Sequence, residues 1–251
     1  MASLHDLQWA VSHNSYEHPE PFDPALLYDA GFRGFELDIW RCPGEWQWCI
    51  NHQDGWSGTS PTLVSHLATL GQALDDSRTD PVFLHLDVKD KTVPAGFAAA
   101  LDPVLDAALP NRLFRPSDLR SGMGTWKEWP DPASAALQGR IIVVISGTEA
   151  CKKNYAAAGV TEVAAFPDFN PYGGARRLVA NTAYNDSYLG GLFGDWRCGQ
   201  KSLLWRCYGE DHPVGQWLDR FKETGANMLA MNHDGTVIEG GAGFWKNPSC
   251  K

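Results

Sequence analysis

The sequence predicts one α/β domain, a TIM-type β/α barrel, and three observations carry that prediction. Apolar strand-like runs alternate with stretches of helical periodicity along most of the 251 residues, the pattern of parallel strands joined by crossover helices. Three strands deliver polar groups at or near their C-terminal ends, where β/α barrels keep their chemistry. The length suits one such barrel, and no linker divides it, so residues 1–251 read as a single domain.

Residues 7–16 read as a first strand ending in His13, Asn14, Ser15 and Tyr16. Asp23, with Pro24 behind it, starts a short helix to Ala30, and Gly31 stops it. Residues 32–41 form a second strand whose centre, FELDI, is apolar except for Glu36 and Asp38. Residues two apart in a strand share a face, so both carboxylates project together while Leu37 and Ile39 turn the other way. Residues 45–52 return as a hairpin arm that carries His52.

Leu63, Leu67, Leu70 and Leu74 recur at helical spacing across 62–76, after Pro61 and Thr62 as a start signal. Residues 82–88 make a third strand that brings Asp87 and Lys89 to its end, and 94–109 an alanine-rich helix. Residues 111–130 read as a loop region, and 140–146 (RIIVVIS) as the strongest strand signal, apolar enough for burial on both faces. A weaker strand at 164–170, a Gly-rich irregular stretch at 184–195 and a helix at 214–224 lead to a last strand at 228–234, which ends in Asn232, His233 and Asp234. Residues 234–243 read as a closing loop.

The formal charge of −9 argues against a nucleic-acid partner, which needs a basic face, and disfavours a strongly anionic membrane. No run approaches the roughly 20 apolar residues that span a bilayer. Of eleven tryptophans, Trp40, Trp46, Trp48, Trp56, Trp126, Trp129, Trp196, Trp205 and Trp245 fall in expected loops. Two uses compete for them: a rim that touches a membrane surface, or aromatic plugs packed over the barrel. The chain begins MASLHD, without an apolar signal region, as a cytosolic protein or the mature form of a secreted one would. Six cysteines near turns and ends, without zinc-site spacing, favour the secreted reading with up to three disulfides, against buried free thiols. Spacing suggests Cys42–Cys49 and Cys198–Cys207, with Cys151–Cys250 by elimination among about 15 possible pairings.

Asn14, Glu36, Asp38 and Asp87 together form an all-oxygen set, which suits Ca²⁺ first and Mg²⁺ second. His13 and His52 would flank that ion. A cation that neutralises phosphate charge, with one histidine taking a proton and another giving one, is equipment for cleaving a phosphodiester. Lys89 would contact a nonbridging oxygen, unless it only pairs with Asp87. Asn232 and His233 are candidates to line the pocket, or to cap the last strand. Taken singly these signals are bland: a strand Glu-x-Asp is more often a salt-bridged edge, and a hairpin histidine more often a surface residue. Their order along the chain makes the constellation. His5, His18, His66, His85 and His212 read as structural.

His13-Asn14-Ser15-Tyr16, then Phe35-Glu36-Leu37-Asp38-Ile39-Trp40, then His52 and residues 81–87 (PVFLHLD), resemble the catalytic X-region of phosphatidylinositol-specific phospholipase C, in particular its small secreted calcium-dependent bacterial type. The resemblance covers about the first ninety residues; beyond them, residues 137–144 (LQGRIIVV) resemble a later family strand only loosely. It implies a distorted TIM barrel, His13 and His52 as catalytic residues, and Asn14, Glu36, Asp38 and Asp87 as calcium ligands. Two departures matter. The third-strand ligand is often glutamate in that family and is Asp87 here. The run Asp87-Val88-Lys89 is similar instead to the related glycerophosphodiester phosphodiesterase and sphingomyelinase D group, whereas Asn14 favours the phospholipase C side.

The expected function is therefore a secreted, monomeric, calcium-dependent phosphodiesterase that acts on a phospholipid or a soluble glycerophosphodiester. In the phospholipase C version an inositol hydroxyl attacks phosphorus and a cyclic phosphate forms first. In the sphingomyelinase D or lysophospholipase D version the headgroup alcohol leaves. Readings of other classes are a two-carboxylate barrel glycosidase, which leaves the histidines and Asn14 without work, and a catalytically silent calcium-binding module.

Overall fold

The structure, a computed structural model, describes residues 7–17, 21–42, 47–51, 61–74, 77–89, 95–114 and 131–147, with short strands at 178–179, 182–184, 205–208, 228–231 and 244–246. In order these are β1 (Leu7–Ser12), α1 (Pro24–Asp29), β2 (Gly34–Arg41), β3 (Trp48–Ile50), α2 (Leu63–Ala73), β4 (Val82–Val88), α3 (Ala95–Ala108), β5 (Leu113–Phe114), β6 (Ile141–Gly147), β7 (Leu178–Val179), β8 (Thr182–Tyr184), β9 (Trp205–Tyr208), β10 (Met228–Met231) and β11 (Phe244–Lys246).

Parallel pairing runs β7-β6-β4-β2-β1-β10-β9-β8. The first strand thus lies between the second and the last parallel one, the circular order of a β/α barrel. Among the described residues, β7 and β8 are the two ends of that run. β5 joins β6 in parallel, while β3 and β11 add antiparallel arms to β2 and β1. No described helix is long and apolar enough to cross a membrane.

Local signals account for the helices. Asp23 caps α1 through Oδ1, which accepts from the Leu26 amide at 3.0 Å, with Pro24 at the first helical position. Thr62 caps α2 in the same manner through the Ser65 amide at 3.3 Å. Leu63, Leu67 and Leu70 of α2 and Leu101 and Leu105 of α3 are buried in one cluster with Leu37 and Ile39 of β2 and Leu84 and Leu86 of β4. Each such leucine stabilises the fold by about 1.5–3 kcal/mol.

The other face of the same strands is apolar at one end and polar at the other. Trp9 and Phe83 are wholly buried and meet edge to face at 5.3 Å near the N-terminal ends of β1 and β4. Farther along β4 on that face come His85 and Asp87, opposite Glu36 and Asp38 of β2 in register. β1 and β2 approach closely because residue 34 is glycine: a Cβ there would lie 2.6 Å from Val11 Cγ2. At the opposite end of the strands, Arg33 is held by Asp80 at 3.0 Å and by the Tyr28 and Phe32 carbonyls at 2.8 and 2.9 Å, with its guanidinium 3.6 Å above the Tyr28 ring.

Several expectations change. The first strand ends at Ser12, and residues 13–17 turn; Asn14 adopts φ 46° there, which a continuous strand would forbid. β9 and β11 lie where no strand was expected, so Trp205 and Trp245 belong to strands rather than loops. Trp40 and Trp48, grouped with the loop tryptophans, sit in β2 and β3, as the strand expected at 32–41 and the hairpin arm expected at 45–52 imply, with Trp48 packed into the helix-facing cluster. Short β5 interrupts the loop expected at 111–130. Cys42 and Cys49 form a disulfide, Cα–Cα 5.3 Å, across the β2–β3 hairpin. The other expected pairings fall on cysteine side chains outside the described residues, as do the strand at 164–170, the helix at 214–224, and His52 and Asn232.

Candidate functional site

β1, β2 and β4 converge on one polar cluster at their C-terminal side. Period-two alternation puts Glu36 and Asp38 on the face of β2 opposite Leu37 and Ile39, and His85 and Asp87 on the face of β4 opposite Leu84 and Leu86. Parallel register then sets Glu36 beside His85 and Asp38 beside Asp87. Carboxylate oxygens of Glu36, Asp38 and Asp87 all lie within 4.8 Å of one another, and all three residues are buried.

The turn after β1 completes the cluster. Ser15 stitches it to β2: its amide donates to the Glu36 carbonyl at 2.9 Å, its hydroxyl donates to the Ser12 carbonyl at 2.8 Å, and the Glu36 amide donates to that hydroxyl at 2.9 Å. Asn14 pivots the chain in the left-handed region, a conformation asparagine tolerates at a cost of about 1 kcal/mol. His13 Nε2 comes to 3.7 Å from Glu36 Oε2. Lys89, just past β4, places Nζ 2.6 Å from Asp87 Oδ2 and 3.4 Å from Asp38 Oδ1, the second contact lacking hydrogen-bond alignment.

These groups are poorly compensated. Asn14 Oδ1, both Glu36 oxygens and both Asp38 oxygens are buried and make no hydrogen bond within the protein, where an unpaired buried polar atom costs about 1–3 kcal/mol. Two carboxylate charges about 5 Å apart repel by roughly 3 kcal/mol at an effective dielectric of 20. Burial first, then the charges of Glu36 and Asp87, raise the Asp38 carboxyl to about 8 against the opposing pull of Lys89. Burial draws the Lys89 ammonium toward neutrality, but Asp87 and Asp38 more than offset this and raise its pKa. Burial, then the nearby charge of Asp38 and Glu17, raises the Tyr16 hydroxyl far above its ordinary range.

A buried set of hard oxygens with excess negative charge fits a divalent cation with oxygen preference, Ca²⁺ or Mg²⁺. Of the residues singled out in the sequence, Glu36, Asp38 and Asp87 come together, Asn14 lies in the turn stitched to Glu36, and His13 Nε2 lies 3.7 Å from Glu36. Asn51, the residue before His52, donates its amide to the Asp38 carbonyl at 3.2 Å. His85, which reads as structural in the sequence, places its Nδ1 3.2 Å from Glu36 Oε1. Its signal was the strand period, which puts it on the face of Asp87 two residues earlier.

No family model and no curated protein sequence matches this chain. Solved structures do. A calcium-dependent phosphoinositol-specific phospholipase C from a Gram-negative bacterium, Pseudomonas sp., is 16% identical, with a TM-score of 0.68 over 98% of this chain and 95% of that one. Its myo-inositol complex matches at TM-score 0.67 and 16% identity over the same shares. A calcium-dependent phosphatidylinositol-specific phospholipase C from Streptomyces antibioticus is 17% identical, TM-score 0.64, over 92% of this chain and 95% of that one. The likeness extends over nearly the whole chain and shows a shared fold.

Proposed function

We propose that this chain is a secreted calcium-dependent phosphodiesterase, a single catalytic barrel domain that cleaves phosphatidylinositol or a related phospholipid or glycerophosphodiester. The observation that carries this reading is the set of five buried, hydrogen-bond-free oxygens on Asn14, Glu36 and Asp38 beside Asp87 and His13. The full-length likeness to calcium-dependent phospholipases C supports it, and so do the Cys42–Cys49 disulfide and the oxidising compartment it suits.

Asn14, Glu36, Asp38 and Asp87 hold the ion, which when bound supplies positive charge against the nonbridging oxygens of the substrate phosphate. His13, next to Glu36, takes the proton of the attacking hydroxyl, and His52 returns one to the departing alcohol oxygen. Lys89 leaves its carboxylate partners to contact a phosphate oxygen, and Asn232 lines the pocket. The enzyme works as a monomer and meets a lipid surface through tryptophan-bearing segments such as those at Trp46 and Trp56.

One observation favours a second reading within the same chemistry. Lys89 is bound to Asp87 at 2.6 Å in the run Asp87-Val88-Lys89, the feature shared with sphingomyelinase D-like and glycerophosphodiester-cleaving enzymes. Headgroup release from phosphatidylinositol, phosphatidylcholine, lysophospholipid, sphingomyelin and soluble glycerophosphodiesters, with calcium and with chelator, decides between them. Inositol cyclic phosphate identifies the phospholipase C reaction, and a free headgroup alcohol the second one. Absence of calcium-dependent release from every substrate would sink both.

A further inference from the structure

His85 has no part in the chemistry just proposed, yet it touches the most confined member of the cluster. It stands in register with Glu36 on the neighbouring strand, and both residues are 0% exposed. Its Nδ1 lies 3.2 Å from Glu36 Oε1, while His13 Nε2 lies 3.7 Å from Oε2 on the other side. Glu36 therefore sits between two imidazoles, one from β4 and one from the turn after β1. Its situation differs from that of Asp38 and Asp87, which share the Lys89 ammonium.

We infer that His85 is a positioning residue: its Nδ1–H directs the Glu36 carboxylate so that one oxygen is engaged and the other faces the ion and His13. The inference rests on the cation site proposed above. The backbone at Glu36 is already fixed, because its amide donates to Ser15 Oγ at 2.9 Å and its carbonyl accepts from the Ser15 amide at 2.9 Å. The side chain is not fixed in the same way. Glutamate has three rotatable bonds, and rotation about the last is soft, so a carboxylate with both oxygens free of hydrogen bonds can swap the oxygen it presents.

The 3.2 Å approach of His85 Nδ1 is not aligned as a hydrogen bond in this structure; a rotation of either side chain would close it into one, and a donor at Oε1 then removes that freedom. An imidazole nitrogen that hydrogen-bonds a carboxylate oxygen does so as the donor, so this role requires a hydrogen on Nδ1. His85 suits this role better than that of ligand, because hard divalent cations prefer oxygen. Hydrogen-bonding partners of a metal-ligating group typically account for about 10- to 100-fold in metal affinity.

Calcium titration of the full chain by calorimetry compares wild type with His85→Asn, His85→Leu and His85→Met. Asparagine places an amide N–H where Nδ1 stood; leucine and methionine fill the space without a donor. The expected result is calcium affinity lowered by about 10- to 100-fold in the leucine and methionine variants and largely restored in the asparagine variant. Equal affinity in wild type and whichever of the two apolar variants folds overturns the role, as does an asparagine variant weakened as much as they are. Nitrogen NMR of the wild-type imidazole reads the tautomer directly, and Nε2–H at His85 would also overturn it. A wild type that does not bind calcium removes the cation site itself, and His85's role with it. Unchanged binding in the apolar variants removes only the latter.

Discussion

Lys89 Nζ lies 2.6 Å from Asp87 Oδ2, so an ammonium occupies the approach to a carboxylate proposed as a calcium ligand. Its 3.4 Å contact with Asp38 Oδ1 puts the same charge against a second ligand. Calcium bound about 2.4 Å from those oxygens would lie within a few ångströms of Nζ, and the two cations repel. Lys89→Met should therefore tighten calcium binding in the absence of substrate, on the order of ten-fold, or ~1.4 kcal/mol. The same variant should lose most turnover at saturating calcium, because the phosphate contact goes with the ammonium. Unchanged calcium affinity in a calorimetric titration would show that the lysine does not contest the site.

Asp38 makes the opposite case. Without a cation its charge is held against burial and against Glu36 and Asp87, which is why its carboxyl is pushed up to about 8. Asp38→Asn should raise the melting temperature in chelator, because asparagine has no carboxylate to protonate or bury on folding. It should also abolish the calcium-induced increase, which for wild type at 100 times Kd amounts to about 2.7 kcal/mol. Thermal melts of both proteins, with calcium and with chelator, check the two halves separately. A variant less stable than wild type in chelator would mean that the cost of burying the carboxylate is already compensated.

The residues that make this cluster were legible because strand period and strand order are local facts. Glu36 and Asp38 two apart in an apolar run share a face whatever the fold, and Asp87 ends another such run. Legibility stopped where geometry depends on pairing between distant strands. The Glu36–His85 contact needs the β2–β4 register, and nothing near His85 in sequence announces it. The Ser15 stitch is similar: the sequence placed Ser15 in a strand, while the hydrogen bonds to Glu36 bend residues 13–17 into a turn. Tryptophans misled because an aromatic next to a turn signal reads as a loop residue, although Trp48 is packed in the core cluster.

Acid should weaken the fold through His66 on α2. Its ring stacks on Phe22 at 5.0 Å, and burial lowers its pKa below the ordinary 6.5, opposed by a hydrogen bond with the Thr62 backbone. The unfolded chain then takes up the proton first. Stability from the neutral ring is complete above pH about 6.5 and is lost as pH falls from there toward the depressed folded value. His66→Phe should flatten that part of the profile. Denaturant midpoints measured from pH 7 down to pH 5 test this, and parallel profiles for the two proteins would refute it.

The end of the sheet away from the cluster should govern stability without touching chemistry. Arg33 is buried and meets Asp80, two backbone carbonyls and the face of Tyr28. Arg33→Met keeps most of the apolar stem but removes the guanidinium donors from the Tyr28 and Phe32 carbonyls and the Asp80 carboxylate, while the Tyr28 carbonyl keeps the Gly31 amide at 3.0 Å. Asp80 is 34% exposed, so water recovers part of that loss, and a destabilisation of about 2–3 kcal/mol is expected. For a chain of this size that corresponds to a drop of roughly 5–10 °C in melting temperature. Because Arg33 precedes β2 at the end opposite Glu36 and Asp38, calcium affinity and initial rates well below the transition should match wild type. A change in calcium affinity would mean that the two ends of β2 are mechanically coupled, and the site would then depend on the whole strand rather than on its own stitches.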